Sequence, residues 1–446
     1  MPENKTELKR ELGLFHSTVI NMIDMVGIGP FITLPLVISL MNGPHFIVAW
    51  VVGAVISLID GMIWSELGAT YPKAGGSYNF LNEAYGRRRW GKLMSFLYVW
   101  QTLIQAPLVI ASGAIGFAQY FSYLVPLGAV ERKIVSGTVV ILLIILLYRK
   151  IDAIGKIGVL LWTGVIFTIG WIIWGGFSSE NLTGYSFIDS VQDFTFTNLF
   201  FVALGQACVK SIYSYLGYYN VCHLGGEIKN PKSTIPKSIF ISIIGIAVLY
   251  ILMNVSVVRI IPWQEAMHSD FIVSTFIEKL YGSAAANIAT ALVLWVAFAS
   301  LFAVLLGYSR IPYAAAADGR FFPVFAKLHS TKNFPHISLL FVGGLGFIFS
   351  LLFKLSDVIT AILAMRILIQ FIGQAVGVIF IRKRIGKENL GFRMWLYPLP
   401  VVAAVTIWAL IFFSTGEKFM LSGLTVIALG VIVYFVSGSI RKKIHA

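Results

Sequence analysis

The stretch Asp24-Met25-Val26-Gly27-Ile28-Gly29-Pro30-Phe31 lies in the middle of the first long apolar segment of this 446-residue chain. Two glycines and a proline weaken a helix there, because proline removes a backbone hydrogen bond and glycine has poor helix propensity. We therefore predict that this segment forms two half-helices separated by a break. Unwound backbone inside a membrane is tolerated only where it faces a cavity or is buried in protein, so the stretch also predicts a binding site.

The composition is that of an integral membrane protein. Hydrophobic residues make up 58% of the chain, charged residues make up only 12%, and the mean hydropathy is +0.83. Soluble domains contain about 25% charged residues, so a soluble fold is excluded. Apolar segments long enough to cross a hydrocarbon core of about 30 Å recur along the chain. We predict twelve spans, at residues 14–40, 44–70, 91–123, 134–147, 157–176, 199–223, 235–258, 284–307, 337–353, 356–381, 395–413 and 419–437.

The net charge of +14 is explained by topology rather than by nucleic-acid binding. Most Lys and Arg residues fall in alternate loops, which is the pattern of cytoplasmic loops. Three basic runs, Arg87-Arg88-Arg89, Arg382-Lys383-Arg384 and Arg441-Lys442-Lys443, each lie beside the end of a span. We therefore predict cytoplasmic N- and C-termini in the plasma membrane, or in the inner membrane if the source is a Gram-negative bacterium, and no nucleic-acid partner.

A second break is predicted in the sixth span, at Tyr213-Ser214-Tyr215-Leu216-Gly217-Tyr218-Tyr219-Asn220. The two breaks are five spans apart, so the two halves of the chain enter the membrane from opposite sides. This is the inverted-repeat arrangement of many secondary transporters. We expect a cytoplasmic segment at residues 1–13, repeats at 14–176 and 197–382, two further helices at 395–437 and a cytoplasmic tail at 438–446.

Three motifs resemble those of the amino acid, polyamine and organocation (APC) superfamily of transporters. The first is Gly27-Ile28-Gly29-Pro30-Phe31, although the family usually has a small or hydroxyl residue at Ile28 and no proline at Pro30. The second joins Gly217-Tyr218-Tyr219 to Gly226-Glu227-Ile228-Lys229-Asn230-Pro231, and the third is Ser309-Arg310-Ile311-Pro312-Tyr313. The resemblance implies an all-α fold of twelve transmembrane helices, the leucine-transporter fold, with two inverted five-helix repeats and broken helices 1 and 6.

The resemblance also implies where substrate binds. Backbone N–H groups of the first break typically hold the substrate carboxylate, and Pro30 has no such group. In the second break, Tyr213 occupies the position of the gating aromatic residue, and the third span brings Gln105 toward the substrate. The implied substrate-binding residues are Gly27, Ile28, Gly29, Gln105, Tyr213, Ser214, Tyr215, Leu216, Gly217 and Arg366.

Ionisable residues inside spans are functional candidates because burying them costs free energy. Asp24, Asp60 and Lys210 are candidates for coupling transport to protons, although an ion pair of Lys210 with Asp24 or Asp60 explains the lysine equally well. Glu66 lies near a span end and is interpreted as solvated or structural. The forked guanidinium of Arg366 suits a carboxylate, either of the substrate or of an acidic residue on another helix.

The pattern therefore favours a secondary active transporter that moves amino acids by alternating access, coupled to protons or to exchange. Transport of a polyamine or another organocation is the alternative, but Lys210 and Arg366 would repel a polycation. An enzyme is disfavoured because the seven histidines show no ligand-spaced pair. A channel is disfavoured because no pore-lining repeat is visible. We expect no cofactor and no metal, and the identity of the amino acid, the oligomeric state and any partner subunit are left open.

Overall fold

The computed structural model describes residues 8–86, 90–180, 196–352 and 355–444, and most of these residues are helical. The basic run Arg87-Arg88-Arg89 and the ends of both predicted terminal segments lie outside the described residues. The α-helices are α1 Leu14–Met25, α2 Gly29–Met41, α3 Ile47–Thr70, α4 Ser77–Ala84, α5 Trp90–Leu124, α6 Ala129–Leu147, α7 Ile151–Ser178, α8 Asn198–Tyr215, α9 Asn220–His223, α10 Pro231–Ile260, α11 Trp263–Ala266, α12 Ile272–Tyr281, α13 Ser283–Tyr308, α14 Arg310–Ala317, α15 His336–Leu352, α16 Leu355–Arg366, α17 Gly373–Ile385, α18 Leu399–Ser414 and α19 Glu417–Ile444.

Both predicted helix breaks are confirmed. Helices α1 and α2 are separated by residues 26–28 and bend by 46° relative to each other. Helix α8 ends at Tyr215, and a turn over residues 216–219 precedes α9. A six-residue π-helix, Ile367–Ile372, also interrupts the tenth predicted span between α16 and α17. A π-helix of this kind is frequent at functional sites.

The all-helical membrane fold is confirmed, whereas the count of twelve spans stays a prediction. Seven helical segments in the described part of the chain are long and apolar enough to cross a membrane, and the bent pair α1 and α2 makes an eighth span. Helices α15 and α18 are apolar but shorter, with 17 and 16 residues. Every predicted span coincides with a helix or a helix pair. The division into two repeats, at residues 14–176 and 197–382, also stays a prediction.

The broken helices lie at the centre of the bundle. Helix α1 packs against α7, α10 and α13, while α2 packs against α8. Helix α3 packs against α8, α10 and α18, and α5 packs against α13, α15 and α16. Unwound backbone is thereby kept away from lipid, as its unpaired polar groups require.

Several motifs of the sequence meet at the predicted cytoplasmic end. Buried Arg310 forms two hydrogen bonds with buried Glu227, at 2.9 and 3.2 Å. Arg10 donates to the carbonyl groups of Pro72, Gly225 and Ile228 at 2.9 to 3.1 Å. These contacts join the chain before α1 to the loops that follow α3 and α9.

A second ion pair at the same end ties α3 to α17. The Arg382 guanidinium donates to both carboxylate oxygens of Glu66, at 2.7 and 2.5 Å, and the backbone N–H of Met394 donates to Glu66 at 2.8 Å. Both carboxylate oxygens of Glu66 therefore accept hydrogen bonds, which agrees with a structural role for this residue.

Candidate functional site

A cavity of about 60 Å³ lies between the two helix breaks. It is enough for a few water molecules, each of which needs about 10–15 Å³ of such space. Six helices contribute walls besides the breaks, namely α1, α2, α5, α8, α13 and α16. The lining residues are Asp24, Met25, Gly27, Ile28, Gly29, Val109, Gly113, Tyr213, Ser214, Leu216, Gly217, Tyr219, Ala297, Ser300, Leu301, Val304, Tyr308, Ile362 and Arg366.

Side chains from two unbroken helices hold the breaks in place. The hydroxyl group of Tyr250 on α10 lies 2.7 Å from the carbonyl oxygen of Met25 and 3.0 Å from that of Ser214, so one donor serves both breaks. The hydroxyl group of Ser300 on α13 donates to the carbonyl of Asp24 at 3.2 Å. These carbonyl groups lack the N–H partner that a continuous helix would supply four residues later, although Met25 also accepts from the N–H of Gly27 at 3.2 Å. The hydroxyl groups supply donors in place of the missing helical ones.

Gly217 allows the two broken helices to approach each other closely. Its φ of +126° is a conformation that residues with a side chain rarely adopt. A β-carbon at this position would meet the backbone nitrogen of Met25 at 2.7 Å and the Asp24 carboxyl carbon at 2.9 Å. Both the backbone conformation and the space therefore require glycine at the second break.

The cavity contains one acidic and one basic side chain. Arg366 ends α16, is 1% exposed and donates through Nε to the side-chain oxygen of Gln370 at 2.9 Å. Its guanidinium lies 4.9 Å from the ring centre of Tyr219, while its Nη2 has no hydrogen-bond partner in the described part of the chain. Asp24 lines the same cavity, and no ion pair joins it to Arg366 within the described ranges. The site therefore offers a carboxylate and an incompletely satisfied guanidinium to a dipolar ligand.

Hydroxyl groups line the wall between α2, α5 and α8. Tyr213 and Ser112 share a hydrogen bond of 3.0 Å, and Ser214 and Thr33 share one of 2.7 Å. Tyr213 and Ser214 both line the cavity, beside Gly29. This part of the wall places the predicted gating aromatic residue at the edge of the first break.

Two predicted site residues lie behind the cavity rather than on its wall. Gln105 donates to the hydroxyl oxygen of Tyr308 at 2.9 Å, and it is Tyr308 that lines the cavity. Tyr215 is fully buried and packs edge-on against Trp50, with a tilted contact to Tyr250. Gln105 thus orients a wall residue, and Tyr215 packs beside the tyrosine that holds both breaks.

The coupling candidates occupy three different environments. Asp24 lines the cavity, whereas Asp60 on α3 accepts hydrogen bonds from Tyr218 at 2.6 Å and from Trp408 at 3.2 Å. Lys210 donates to the hydroxyl oxygen of Thr360 on α16 at 2.9 Å. Among the described side chains, no ion pair links Lys210 to Asp24 or Asp60. Asp60 therefore fixes the second break through Tyr218, and Lys210 joins α8 to α16.

Three polar wall residues were not predicted from the sequence, namely Tyr219, Ser300 and Tyr308. Tyr219 lies two residues after Gly217, and this position in the second break is the sequence feature that could have identified it as a wall residue. Ser300 and Tyr308 belong to α13, which has no break to mark them. The described residues include no group of three His, Cys, Asp or Glu side chains that could hold a metal ion.

Comparison with known proteins gives consistent matches along most of the chain. The model of the family described as amino acid permease matches residues 12–436. A serine/threonine exchanger of Bacillus subtilis is 25% identical over 403 residues, covering 89% of each chain. Solute carrier family 7 member 13 of Mus musculus is 27% identical, over 80% of this chain and 75% of its own. A human cystine/glutamate transporter is 25% identical, over 94% of this chain and 84% of its own.

Proposed function

Since the chain belongs to the amino acid permease family, we propose that it exchanges acidic amino acids through the cavity between its two helix breaks. Membership of this family makes the chain a multi-pass membrane transporter of amino acids and not an enzyme. The observation that carries the proposal is the buried guanidinium of Arg366, which lines the cavity with one nitrogen lacking a hydrogen-bond partner among the described residues. A buried cation in this state favours a ligand that brings a carboxylate.

The amino and carboxyl groups of the substrate would bind at the breaks. Helix N-termini favour anions, and the first turn of α2 offers the N–H groups of Gly29 and Phe31 while Pro30 offers none. The substrate ammonium group would lie near Asp24 and the carbonyl groups of the second break. In this pose Gly27, Ile28, Gly29, Ser214, Leu216 and Gly217 surround the amino acid backbone, under Tyr213.

Arg366 would then be available to bind the side chain of the substrate. It reaches the cavity from α16, whereas the breaks belong to the first and sixth spans. A carboxylate side chain would pair with its fork through two hydrogen bonds. One relative is named as a cystine/glutamate transporter and another as a serine/threonine exchanger, so both acidic and small hydroxyl substrates occur among the relatives. The guanidinium favours the acidic class for this chain and disfavours a polyamine.

Exchange is proposed over proton coupling because Lys210 does not line the cavity. The name of the Bacillus subtilis relative also states exchange. Asp24 is the coupling candidate in contact with the cavity, and Asp60 and Lys210 act as positioning residues in this proposal. We further propose that the protein resides in the plasma membrane with both termini in the cytoplasm, on the basis of its charge distribution.

Counterflow in proteoliposomes tests the proposal. Vesicles preloaded with unlabelled glutamate should accumulate external labelled glutamate without a proton gradient, and excess aspartate should compete better than serine, arginine or putrescine. The Arg366→Gln variant should lose this uptake, while Arg393→Gln, which removes an exposed arginine paired with Glu388, should keep it. Uptake of serine but not glutamate by the wild type would contradict the acidic assignment. Uptake that requires a proton gradient would contradict exchange.

A further inference from the structure

A second cavity lies at the end of α6, where the chain turns into α7. Its volume is about 680 Å³, and it shares no lining residue with the cavity between the helix breaks. One side is basic and aromatic, and the other is aliphatic. The lining residues are Ile144, Ile145, Tyr148, Arg149, Lys150, Ala153, Lys332 and Leu340.

Three cations converge on this cavity, and its lining residues include no carboxylate. Arg149 and Lys150 are exposed in the short connection between α6 and α7. Lys332 approaches from the loop before α15, donates to the carbonyl of Tyr148 at 2.8 Å and lies 4.7 Å from the centre of its ring. The nearest acidic residue in sequence is Asp152, which is paired with Lys156 at 3.1 Å. The cavity is therefore strongly positive.

The aliphatic side of the cavity faces outward from the bundle. Ile145 on α6 is 62% exposed and Leu340 on α15 is 47% exposed. Exposed Ile141 and Leu142 continue this surface along α6, away from the cations. In a membrane-spanning bundle, exposed aliphatic side chains of this kind contact lipid tails. The cations therefore lie at the level where a span ends, next to a lipid-facing wall.

We propose that this cavity, defined by Arg149, Lys150, Lys332 and the aliphatic wall of Ile145 and Leu340, binds an anionic phospholipid. The phosphate group would lie among the three cations, and an acyl chain would follow the wall toward α6. Basic pockets between membrane helices bind anionic lipid headgroups in this way. The aliphatic wall favours a lipid over a soluble phosphate, because a soluble anion would make no contact with Ile145 and Leu340. The proposal does not depend on which amino acid is transported.

Native mass spectrometry of the purified full-length protein tests this site. The protein would be titrated with phosphatidylglycerol and, separately, with phosphatidylcholine of the same chain length. Wild-type protein should bind phosphatidylglycerol more tightly than phosphatidylcholine, and the double variant Arg149→Gln/Lys150→Gln should bind phosphatidylglycerol about tenfold more weakly or worse. The matched control Lys232→Gln/Lys237→Gln removes two exposed cations from α10 that do not line the cavity, and it should bind like the wild type.

Three further results separate specific lipid binding from loss of folding and from binding of a soluble anion. The charge-preserving variant Arg149→Lys/Lys150→Arg should retain lipid binding, which separates loss of charge from loss of folding. Excess inorganic phosphate should leave the phosphatidylglycerol adduct in place; displacement by phosphate would show a soluble-anion site and overturn the lipid assignment. Equal binding of the two lipids, or unchanged binding by the double glutamine variant, would also overturn it.

Discussion

The hydroxyl group of Tyr250 donates a hydrogen bond to the carbonyl oxygen of Met25, 2.7 Å away, at the residue where α1 ends. The same hydroxyl lies 3.0 Å from the carbonyl of Ser214, near the end of α8. A side chain on α10 thus links the ends of α1 and α8, which both line the cavity between the helix breaks. Because the proposed substrate site lies between the two breaks, this contact couples its two sides.

Removing that hydroxyl should impair transport without unfolding the protein. Tyr250→Phe leaves the ring against Trp50 but removes the hydroxyl donor from the Met25 and Ser214 carbonyl groups, at a cost of about 1–3 kcal/mol. The Met25 carbonyl keeps a 3.2 Å hydrogen bond from the N–H of Gly27. We expect glutamate exchange to fall about tenfold. The control is Tyr281→Phe, because the Tyr281 ring stacks on Trp171 far from both breaks in sequence, and it should leave exchange unchanged. Equal activity of the wild type and Tyr250→Phe would contradict this role.

Gly217 should tolerate no side chain. In Gly217→Ala the new methyl group would meet the backbone of Met25 and the side chain of Asp24, and the residue would have to keep a φ of +126°. We expect loss of exchange and a lower thermal unfolding midpoint. Gly170→Ala is the matched control, because a β-carbon at Gly170 meets no atom within 4 Å and alanine favours the helix α7. A normal exchange rate in Gly217→Ala would show that the breaks do not need this approach.

Tyr218 and Asp60, which share a hydrogen bond, should affect exchange as one unit. Asp60 accepts from Tyr218 at 2.6 Å and from Trp408 at 3.2 Å, so it fixes the second break from α3 and α18. We expect Asp60→Asn and Tyr218→Phe each to reduce exchange, and the double variant to be no worse than the more impaired single variant. Exchange rates of the four proteins form the double-mutant cycle. Strictly additive losses would indicate independent roles, and a proton-coupling role for Asp60 would appear as gradient dependence lost only in Asp60→Asn.

The ion pair of Arg310 and Glu227 should matter more for stability than an exposed pair. Both side chains are 1% exposed, so Arg310→Gln would leave a buried carboxylate without its partner and destabilise the protein by about 3–5 kcal/mol. Arg393→Gln breaks the exposed pair with Glu388 and should cost about 1 kcal/mol or less. Thermal unfolding of the two variants in the same detergent compares these effects. A shift for Arg310→Gln no larger than that for Arg393→Gln would refute the argument.

The features that sequence could predict are those in which the residue type alone opposes a regular helix. Gly27, Gly29 and Pro30 predicted the first break, and Gly217 supported the second because it lies five spans later. Arg366 and Asp24 were identifiable because a charge inside an apolar span is costly unless it has a partner or a function. These signals are local, so they did not require knowledge of how the helices pack.

The remaining features depend on packing that periodicity does not reveal. Ser300 and Tyr308 resemble ordinary residues of an apolar helix, and only the approach of α13 to the first break places them at the cavity. Gln105 reaches Tyr308 instead of the cavity for the same reason. The sequence allows an ion pair of Lys210 with an aspartate, but α8 presents the lysine to Thr360 on α16. Spacing along a helix shows which residues share a face, but the neighbour that each face meets depends on how the other helices pack against it.

Whether Arg366 binds the side-chain carboxylate of the substrate can be measured from the affinities for glutamate and for its neutral isostere glutamine. Both dissociation constants would be measured by competition against labelled substrate on purified wild type and Arg366→Gln. We predict that the wild type binds glutamate more tightly than glutamine. Arg366→Gln should weaken glutamate binding at least about 30-fold and change glutamine binding much less. Equal weakening of glutamate binding and glutamine binding would contradict this role of Arg366, because the arginine would then act on a group that the two amino acids share.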